Sequence, residues 1–223
     1  MKILIYAAHP DDEAFGCSGA ILKHVKDKDQ VYVVFFTDGE SSRKTKSKNI
    51  SKKKISLRKL QSLKVSKKLG VKKTFYEEFN DNELDKVTLL TLVKAVEHYK
   101  DLIKPDVVYT HFYGDLNIDH QLISKSVITA YRPNKRANCK KILFFEILSS
   151  TNFFFNKKFF IPNYFINISD FIKKKLMICK TYKNEIKKDQ GRSLKNIKNL
   201  AEYRGSQAGF DYAEAFQVHK IFY

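Results

Sequence analysis

The chain has 223 residues, of which 43% are hydrophobic, so we expect a single domain spanning residues 1–223 with one substantial core. Its 42 Lys and Arg residues outnumber its 24 Asp and Glu residues, and the formal net charge of +18 suits a nucleic acid, an acidic membrane face or a phosphorylated substrate. The three cysteines form no CxxC pair, which excludes a zinc ribbon and a disulfide framework, and no apolar run approaches the ~20 residues of a membrane span, so we expect a cytoplasmic protein.

Short apolar runs alternate with amphipathic stretches in the first part of the chain. Residues 2–8 and 31–36 are typical of buried strands. A helix is expected between them, over about residues 18–28, with Ser18 as its N-cap. Residues 41–54 are rich in Lys and Ser and contain no acid, which predicts an exposed loop.

The same alternation continues through the middle of the chain. Apolar residues at near-helical spacing predict a helix over residues 57–69, which a glycine ends. A strand is expected over residues 73–77 and a helix over 84–99. A strand over 105–110, entered from a proline, then precedes a helix over about 119–130.

Beyond residue 140 the pattern is looser. Residues 141–148 and 163–168 indicate strands, whereas 169–183 and 193–203 indicate helices. Strands that alternate with helices are typical of α/β proteins with right-handed crossovers. The sequence therefore predicts a Rossmann-like, open and mainly parallel sheet with helices on both faces.

Polar clusters follow three of the predicted strands, over residues 9–13, 37–40 and 111–120. In an open parallel sheet, ligands bind beyond the carboxyl ends of the strands. We therefore expect these clusters to meet at one edge of the sheet.

His9, Asp12 and His120 would together offer two imidazoles and one carboxylate to a metal ion. Three protein ligands with a fourth position open for water are typical of catalytic zinc sites. Asp11, next to a ligand but free of metal, could take a proton from that water. The alternative interpretation is a polar turn whose aspartates cap the following helix.

The residues Ala8-His9-Pro10-Asp11-Asp12-Glu13 are the first of five short motifs that resemble the LmbE-like or PIG-L-type de-N-acetylases. They are followed by glycines at 16 and 19. Residues 117–120 resemble the second hallmark of the family, a His-Pro-Asp-His-like box. Similarity continues at 203–206 and 212–216, so the matches extend over most of the chain in the family's order.

The resemblance implies that His9, Asp12 and His120 bind one Zn²⁺ per chain and that Asp11 is the general base. It also implies that Asp119, beside the last ligand, orients a neighbouring group by hydrogen bonding.

The resemblance further implies that Arg58 holds the substrate and that Asp81 contacts sugar hydroxyls. The alternatives are an ordinary exposed helix residue for Arg58 and a turn former for Asp81. The family box commonly opens with a histidine that stabilises the tetrahedral oxyanion, but this chain has Asn117 there. An amide can donate to an oxyanion, and His111 on the same loop is the other candidate for this role.

The sequence therefore predicts a zinc-dependent hydrolase that removes the N-acetyl group from an N-acetylated sugar, free or linked to a nucleotide or a lipid. No specific nucleic acid is expected as partner, and a homo-oligomer stays open. One alternative is a basic nucleic-acid-binding protein, which the lysines of residues 41–60 and 172–198 favour. The other is a sugar-nucleotide-binding protein without deacetylase activity. The latter would favour G-x-G-x-x-G after the first strand, where this chain has His-Pro-Asp-Asp.

Overall fold

The computed structural model describes residues 1–42, 48–133, 139–153, 158–186 and 191–222. Within them, the strands are β1 (Lys2–Ala7), β2 (Gln30–Thr37), β3 (Lys73–Phe79), β4 (Val107–His111), β5 (Lys141–Phe145), β6 (Tyr164–Asn167) and β7 (Ala213–Ile221). The α-helices are α1 (Asp12–Lys26), α2 (Lys48–Leu69), α3 (Leu89–Ile103), α4 (Ile118–Ala130), α5 (Ile172–Cys179) and α6 (Leu194–Ser206). No helix of the described ranges is long and apolar enough to cross a membrane.

The strands form one sheet in the order β3-β2-β1-β4-β5-β7-β6. The pairs from β3 to β5 are parallel, and β7 runs antiparallel between β5 and β6. The predicted α/β fold with a mainly parallel sheet is confirmed. The chain continues from β1 to β2 on one side and from β4 to β5 on the other, so the strand order reverses between β1 and β4. The carboxyl ends of these two strands therefore border the crevice in which such sheets bind ligands.

Strand β1 shows why helices cover both faces of the sheet. Successive side chains of a strand point to opposite faces, and every side chain from Ile3 to Ala7 is buried. Ile3 and Ile5 pack in a core with α1, α2, α5 and α6, whereas Leu4 and Tyr6 pack in a second core with α3 and α4. A continuous apolar run therefore forms a central strand that is buried on both sides.

Helix α1 begins at Asp12, well before the predicted start at Ser18. Two acids in its first turn suit the positive end of the helix dipole. The backbone is kinked at Cys17, with φ −148° and ψ 19°, so Ser18 begins a second helical part. Ser18 does not cap that part, because its hydroxyl donates to the carbonyl of Ala14 at 2.6 Å.

Other predicted boundaries also shift. The expected loop over residues 41–54 is wrong from Lys48 onwards, where α2 begins, and residues 43–47 lie outside the described part of the chain. The predicted helix over 84–99 divides into a short 3₁₀ turn and α3, because Thr88 accepts a hydrogen bond from the Thr91 amide and caps α3. The helix predicted over 169–183 divides in the same way into a 3₁₀ turn and α5.

Candidate metal and catalytic site

The candidate site lies at the carboxyl ends of β1 and β4. His9 follows β1, Asp12 is the first residue of α1, and His120 lies in the first turn of α4. Asn117 caps α4 by accepting a hydrogen bond from the Asp119 amide at 2.8 Å, which fixes where the helix begins. Two elements far apart in sequence thus bring two imidazoles and one carboxylate to one point.

His9, Asp12 and His120 are at most 8% exposed, and their candidate ligand atoms lie within 4.8 Å of one another. His9 Nδ1 lies 3.2 Å from His120 Nε2 and 3.2 Å from Asp12 Oδ2. Asp12 Oδ1 is buried and has no hydrogen-bond partner in the described part of the protein. Two ligands of a tetrahedral Zn²⁺, each ~2.0–2.1 Å from the ion, stand roughly 3.3 Å apart, so these side chains fit a zinc ion.

Each histidine also has a carboxylate at its outer nitrogen. His9 Nε2 lies 3.2 Å from Asp119 Oδ2 and 3.1 Å from Asp81 Oδ1. His120 Nδ1 lies 3.0 Å from Asp115 Oδ1. Carboxylates in this position fix the ring orientation of metal-binding histidines and leave the inner nitrogen free to bind. The arrangement therefore prepares His9 Nδ1 and His120 Nε2 as ligands.

The charges around the three side chains are strongly coupled. Burial raises the pKa of Asp12, but the neighbouring histidines, His120 foremost, outweigh burial and hold that pKa well below its usual value. Burial lowers the pKa of His120, but Asp12 and Asp115 raise it to about 9. A metal ion that binds here must displace protons from the imidazoles.

Asp11 places its carboxylate beside this cluster. Its Oδ2 accepts hydrogen bonds from Arg58 Nη1 and Arg192 Nη1, both at 3.1 Å. Its Oδ1 is buried and lacks a hydrogen-bond partner among the residues described. Burial raises the pKa of Asp11 to about 6, although Arg192 and Arg58 oppose the shift. One oxygen is therefore held and the other is free to accept a proton.

The backbone of Asp11 adopts φ 154° and ψ −23°, a conformation that is strained for a residue with a Cβ. Its amide donates to Glu13 Oε2 at 3.0 Å, and the hydroxyl of Tyr182 donates to Glu13 Oε1 at 2.6 Å. Glu13, for which the motif suggested no role, thus links this backbone to Tyr182 and stabilises it.

Arg58 lies behind Asp11 and not in the cleft, because its side chain is only 2% exposed. Its Nε and Nη2 donate to Glu40 at 3.1 and 2.7 Å, Nη1 also donates to the Pro10 carbonyl at 3.2 Å, and Nη2 bonds to Glu185 as well. The alternative of an exposed helix residue is therefore wrong for Arg58, whereas its expected contact with a substrate stays a prediction. Its contacts support Asp11.

His111 reaches the site through its contact with His120, and its expected role as an oxyanion donor stays a prediction. It is fully buried and stacks on His120, with ring centroids 3.8 Å apart. Its Nε2 accepts a hydrogen bond from the Ala8 amide at 2.9 Å, and burial together with His120 lowers its pKa to about 4. In the neutral ring the proton therefore lies on Nδ1, which has no hydrogen-bond partner among the described residues.

Asn117 borders the cleft as predicted by its place in the box. Its Oδ1 caps α4, and its Nδ2 donates to Asn82 Oδ1 at 3.0 Å. An amide nitrogen carries two protons, so one N–H can still be donated. Asp119, which is fully buried, does not border the cleft and instead accepts hydrogen bonds from the amides of Asn82 and Leu84.

A polar cleft opens in front of these side chains. Asp81 lies in its wall, where it contacts His9 through Oδ1 and accepts a hydrogen bond from the Ser42 hydroxyl through Oδ2. Burial raises the pKa of Asp81, but hydrogen bonding to His9 outweighs burial and lowers it to about 2. The cleft is lined by His9, Asp11, Gly39, Ser42, Asp81, Asn82, Asn117, Glu185 and Arg192.

Sequence reasoning missed three residues of this site. Asp115 lies five positions before His120, and its Oδ2 accepts hydrogen bonds from Ser150 and Thr151 at 3.0 and 2.6 Å. The position of Asp115 in the polar loop after β4 could have identified it as a site residue. Arg192 and Tyr182 belong to irregular backbone between α5 and α6, and no pattern near them points to Asp11 or Glu13.

Comparison with known proteins gives one family and one fold. Residues 4–131 match the family described as PIG-L: GlcNAc-PI de-N-acetylase. The diacetylchitobiose deacetylase of Thermococcus kodakarensis is 29% identical over 226 residues, which cover 97% of this chain and 82% of that protein.

Two solved structures resemble the whole chain. The N,N′-diacetylchitobiose deacetylase from Pyrococcus horikoshii, complexed with its inhibitor MPG, has a TM-score of 0.78 at 20% identity. The match covers 97% of this chain and 83% of that chain. The 4-carboxy-2-hydroxymuconate hydratase from Pseudomonas putida has a TM-score of 0.76 at 20% identity, with 100% of this chain and 97% of that chain covered. At these identities the two structures show a shared fold.

Proposed function

This chain belongs to the PIG-L family of GlcNAc-PI de-N-acetylases, and from that membership we propose that it is a metal-dependent hydrolase that removes the acetyl group from an N-acetylated amino sugar. One observation carries the proposal, namely the buried set of His9, Asp12 and His120 with Asp11 beside it. These side chains offer three ligands to a metal ion and one further carboxylate that does not bind the metal. That carboxylate can act as the general base in the metal-assisted hydrolysis of an amide.

One Zn²⁺ per chain is the metal that we propose. Two imidazole nitrogens and one carboxylate oxygen suit Zn²⁺, and carboxylates behind both rings support the same assignment. The orphaned, buried Asp12 Oδ1 is a further oxygen that a cation would satisfy. When bound, Zn²⁺ supplies a lowered pKa for a water molecule, ~7 against 15.7 in bulk, and it polarises a carbonyl group.

Asp11 and Asn117 have the remaining catalytic roles in this proposal. Asp11 Oδ1 takes the proton from the attacking water, while Oδ2 stays fixed by two guanidinium groups. The free N–H of Asn117 donates to the carbonyl oxygen of the acetamide as negative charge develops on it. Asp11 then returns the proton to the leaving amine. Acetate and a free amino sugar are released.

The cleft suits the sugar itself. Its lining side chains carry hydrogen-bonding groups, which suit the hydroxyl groups of a sugar. Asp81 in the wall accepts hydrogen bonds from sugar hydroxyl groups, the role that the family resemblance implies. The two deacetylase relatives named above support N,N′-diacetylchitobiose as a first substrate to test, beside nucleotide- and lipid-linked N-acetyl sugars.

The proposal is tested by incubating the protein with a panel of N-acetylated sugars and measuring free amine. We expect release from at least one of them, its loss after treatment with a zinc chelator, and its recovery when Zn²⁺ is added back. An Asp12→Ala variant should bind no stoichiometric zinc and release no amine. Amine release that is indifferent to the chelator would contradict the proposal.

A further inference from the structure

The carboxylate of Asp11 lies between two arginines that come from distant parts of the chain. Arg58 belongs to α2, and Arg192 lies just before α6. Both donate through Nη1 to the same oxygen, Oδ2, at 3.1 Å. The two guanidiniums therefore fix one oxygen of the carboxylate and leave Oδ1 without a partner among the described residues.

The two arginines differ in their access to the cleft. The side chain of Arg58 is 2% exposed and its other donors are occupied, so it acts from behind. The side chain of Arg192 is 22% exposed and forms part of the cleft wall. Arg192 thus contacts Asp11 from the side on which a substrate enters.

Arg192 is itself held in place. Its Nε donates to Ser149 Oγ at 2.6 Å, and its guanidinium lies over the ring of Phe15, 5.3 Å from the ring centroid. Glu185 Oε2 lies 3.7 Å from its Nη1. Contacts from three segments of the chain thus orient the planar guanidinium group of Arg192. The ammonium group of a lysine could not make the same set of contacts.

We propose that Arg192 is a positioning residue for the general base. It holds Asp11 Oδ2 so that the unpartnered Oδ1 is the atom that receives the proton. The inference deepens the proposed function and rests on it. It also extends the site beyond residues 4–131, the part of the chain that the family match covers.

A competing role for Arg192 follows from its charge. It is the one Lys or Arg in the cleft wall among the described residues, so it could instead receive an anionic group of a substrate. The two roles separate in kinetics. Misplacing a base lowers kcat, whereas removing a substrate contact raises KM and leaves kcat unchanged.

The test compares Arg192→Ala and Arg192→Lys with the matched control Lys195→Ala, which removes an exposed positive charge nearby on α6. We expect Arg192→Ala to lower kcat by about 10²-fold with little change in KM, because a small misplacement of a catalytic group has this effect. Zinc content should stay at the wild-type level, and low concentrations of methylguanidine should restore part of kcat. Arg192→Lys should keep less activity than Lys195→Ala.

An unchanged kcat, or a rise in KM confined to phosphorylated substrates, would overturn the inference. A double-mutant cycle in urea makes the test independent of turnover: Asp11→Asn, Arg192→Ala and the double variant are unfolded under the same conditions. We expect the double variant to lose less stability than the sum of the single losses. Additive losses would overturn the inference even if wild-type turnover had upheld the proposed function. Absence of wild-type turnover would refute the proposed function and, with it, the inference that rests on it.

Discussion

Asp11 is the residue on which the proposed chemistry depends. It combines an unpartnered buried oxygen, two arginine contacts and a strained backbone, and strain of this kind concentrates at functional sites. The same carboxylate is not among the three candidate metal ligands. A substitution at Asp11 should therefore remove the general base without removing the metal ion.

Asp11→Asn keeps the size of the side chain and removes the base. We expect kcat to fall by about 10²–10⁴-fold, the usual contribution of general acid–base catalysis. Metal analysis of the purified variant should still find one zinc per chain. Turnover equal to that of the wild type would show that Asp11 is not the base.

Asn117 serves both the fold and the site, and Asn117→Asp separates the two roles. A carboxylate still caps α4, but the amide N–H that we propose as the oxyanion donor is lost. We expect kcat to fall by about 10²–10³-fold, as for other losses of one such donor. Thermal unfolding should show a near-wild-type midpoint; a large drop in the midpoint would mean that Asn117 acts mainly through stability.

Asp115 is expected to act on the metal through His120. In Asp115→Asn the shape is kept, but the charge behind the His120 ring is removed. We expect zinc affinity to fall by about 10- to 100-fold, the typical effect of losing such a partner. Competition with a chromogenic chelator measures this affinity directly, and an affinity equal to that of the wild type would exclude the role.

At the scale of elements, the kinked helix α1 shows what a local pattern can and cannot reveal. The glycine spacing in the motif is explained by packing, because a Cβ at Gly16 would lie 2.5 Å from Phe145 and one at Gly19 would lie 2.6 Å from Ile168. The start of the second helical part near Ser18 was predictable from its composition. Its cap was not, because the amides of Gly19 and Ala20 donate to the carboxylate of Glu214 on β7, which lies 195 residues after Gly19.

Glu214 also pairs with the buried Lys175 of α5 at 2.6 Å, so it joins α1, α5 and β7. In Glu214→Gln the ammonium of Lys175 loses its counter-charge and one helix amide loses an acceptor. We expect the free energy of unfolding to fall by about 1–3 kcal/mol, which urea denaturation measures. Unchanged stability would show that this buried network contributes nothing to the docking of α1.

The site shows a similar division between predictable and unpredictable features. Apolar runs followed by His and Asp placed His9, Asp12 and His120 at strand ends that the sheet does bring together. The contacts that hold Asp11 were not predictable in this way. Arg192 reaches Asp11, and Tyr182 reaches the neighbouring Glu13, only through tertiary packing. Burial also decided what His111 and Arg58 can do, and burial of a polar residue is not visible in a short motif.

At the scale of the whole molecule, strands from both ends of the chain join one sheet, and the expected single domain stays a prediction. The fold alone does not determine the reaction, since a hydratase shares it. The net charge of +18 does not extend into the cleft, whose wall includes the carboxylates of Asp11, Asp81 and Glu185.

The central claim is that one metal ion held by His9, Asp12 and His120 enables removal of an acetyl group. The most direct measurement titrates metal-free protein with Zn²⁺ while free amine is followed from an N-acetylated sugar that the wild type accepts. We expect the rate to rise linearly and to level off at one zinc per chain, and we expect His120→Ala to show no such rise. Full turnover without metal, or no turnover of any N-acetylated sugar at any zinc ratio, would contradict it.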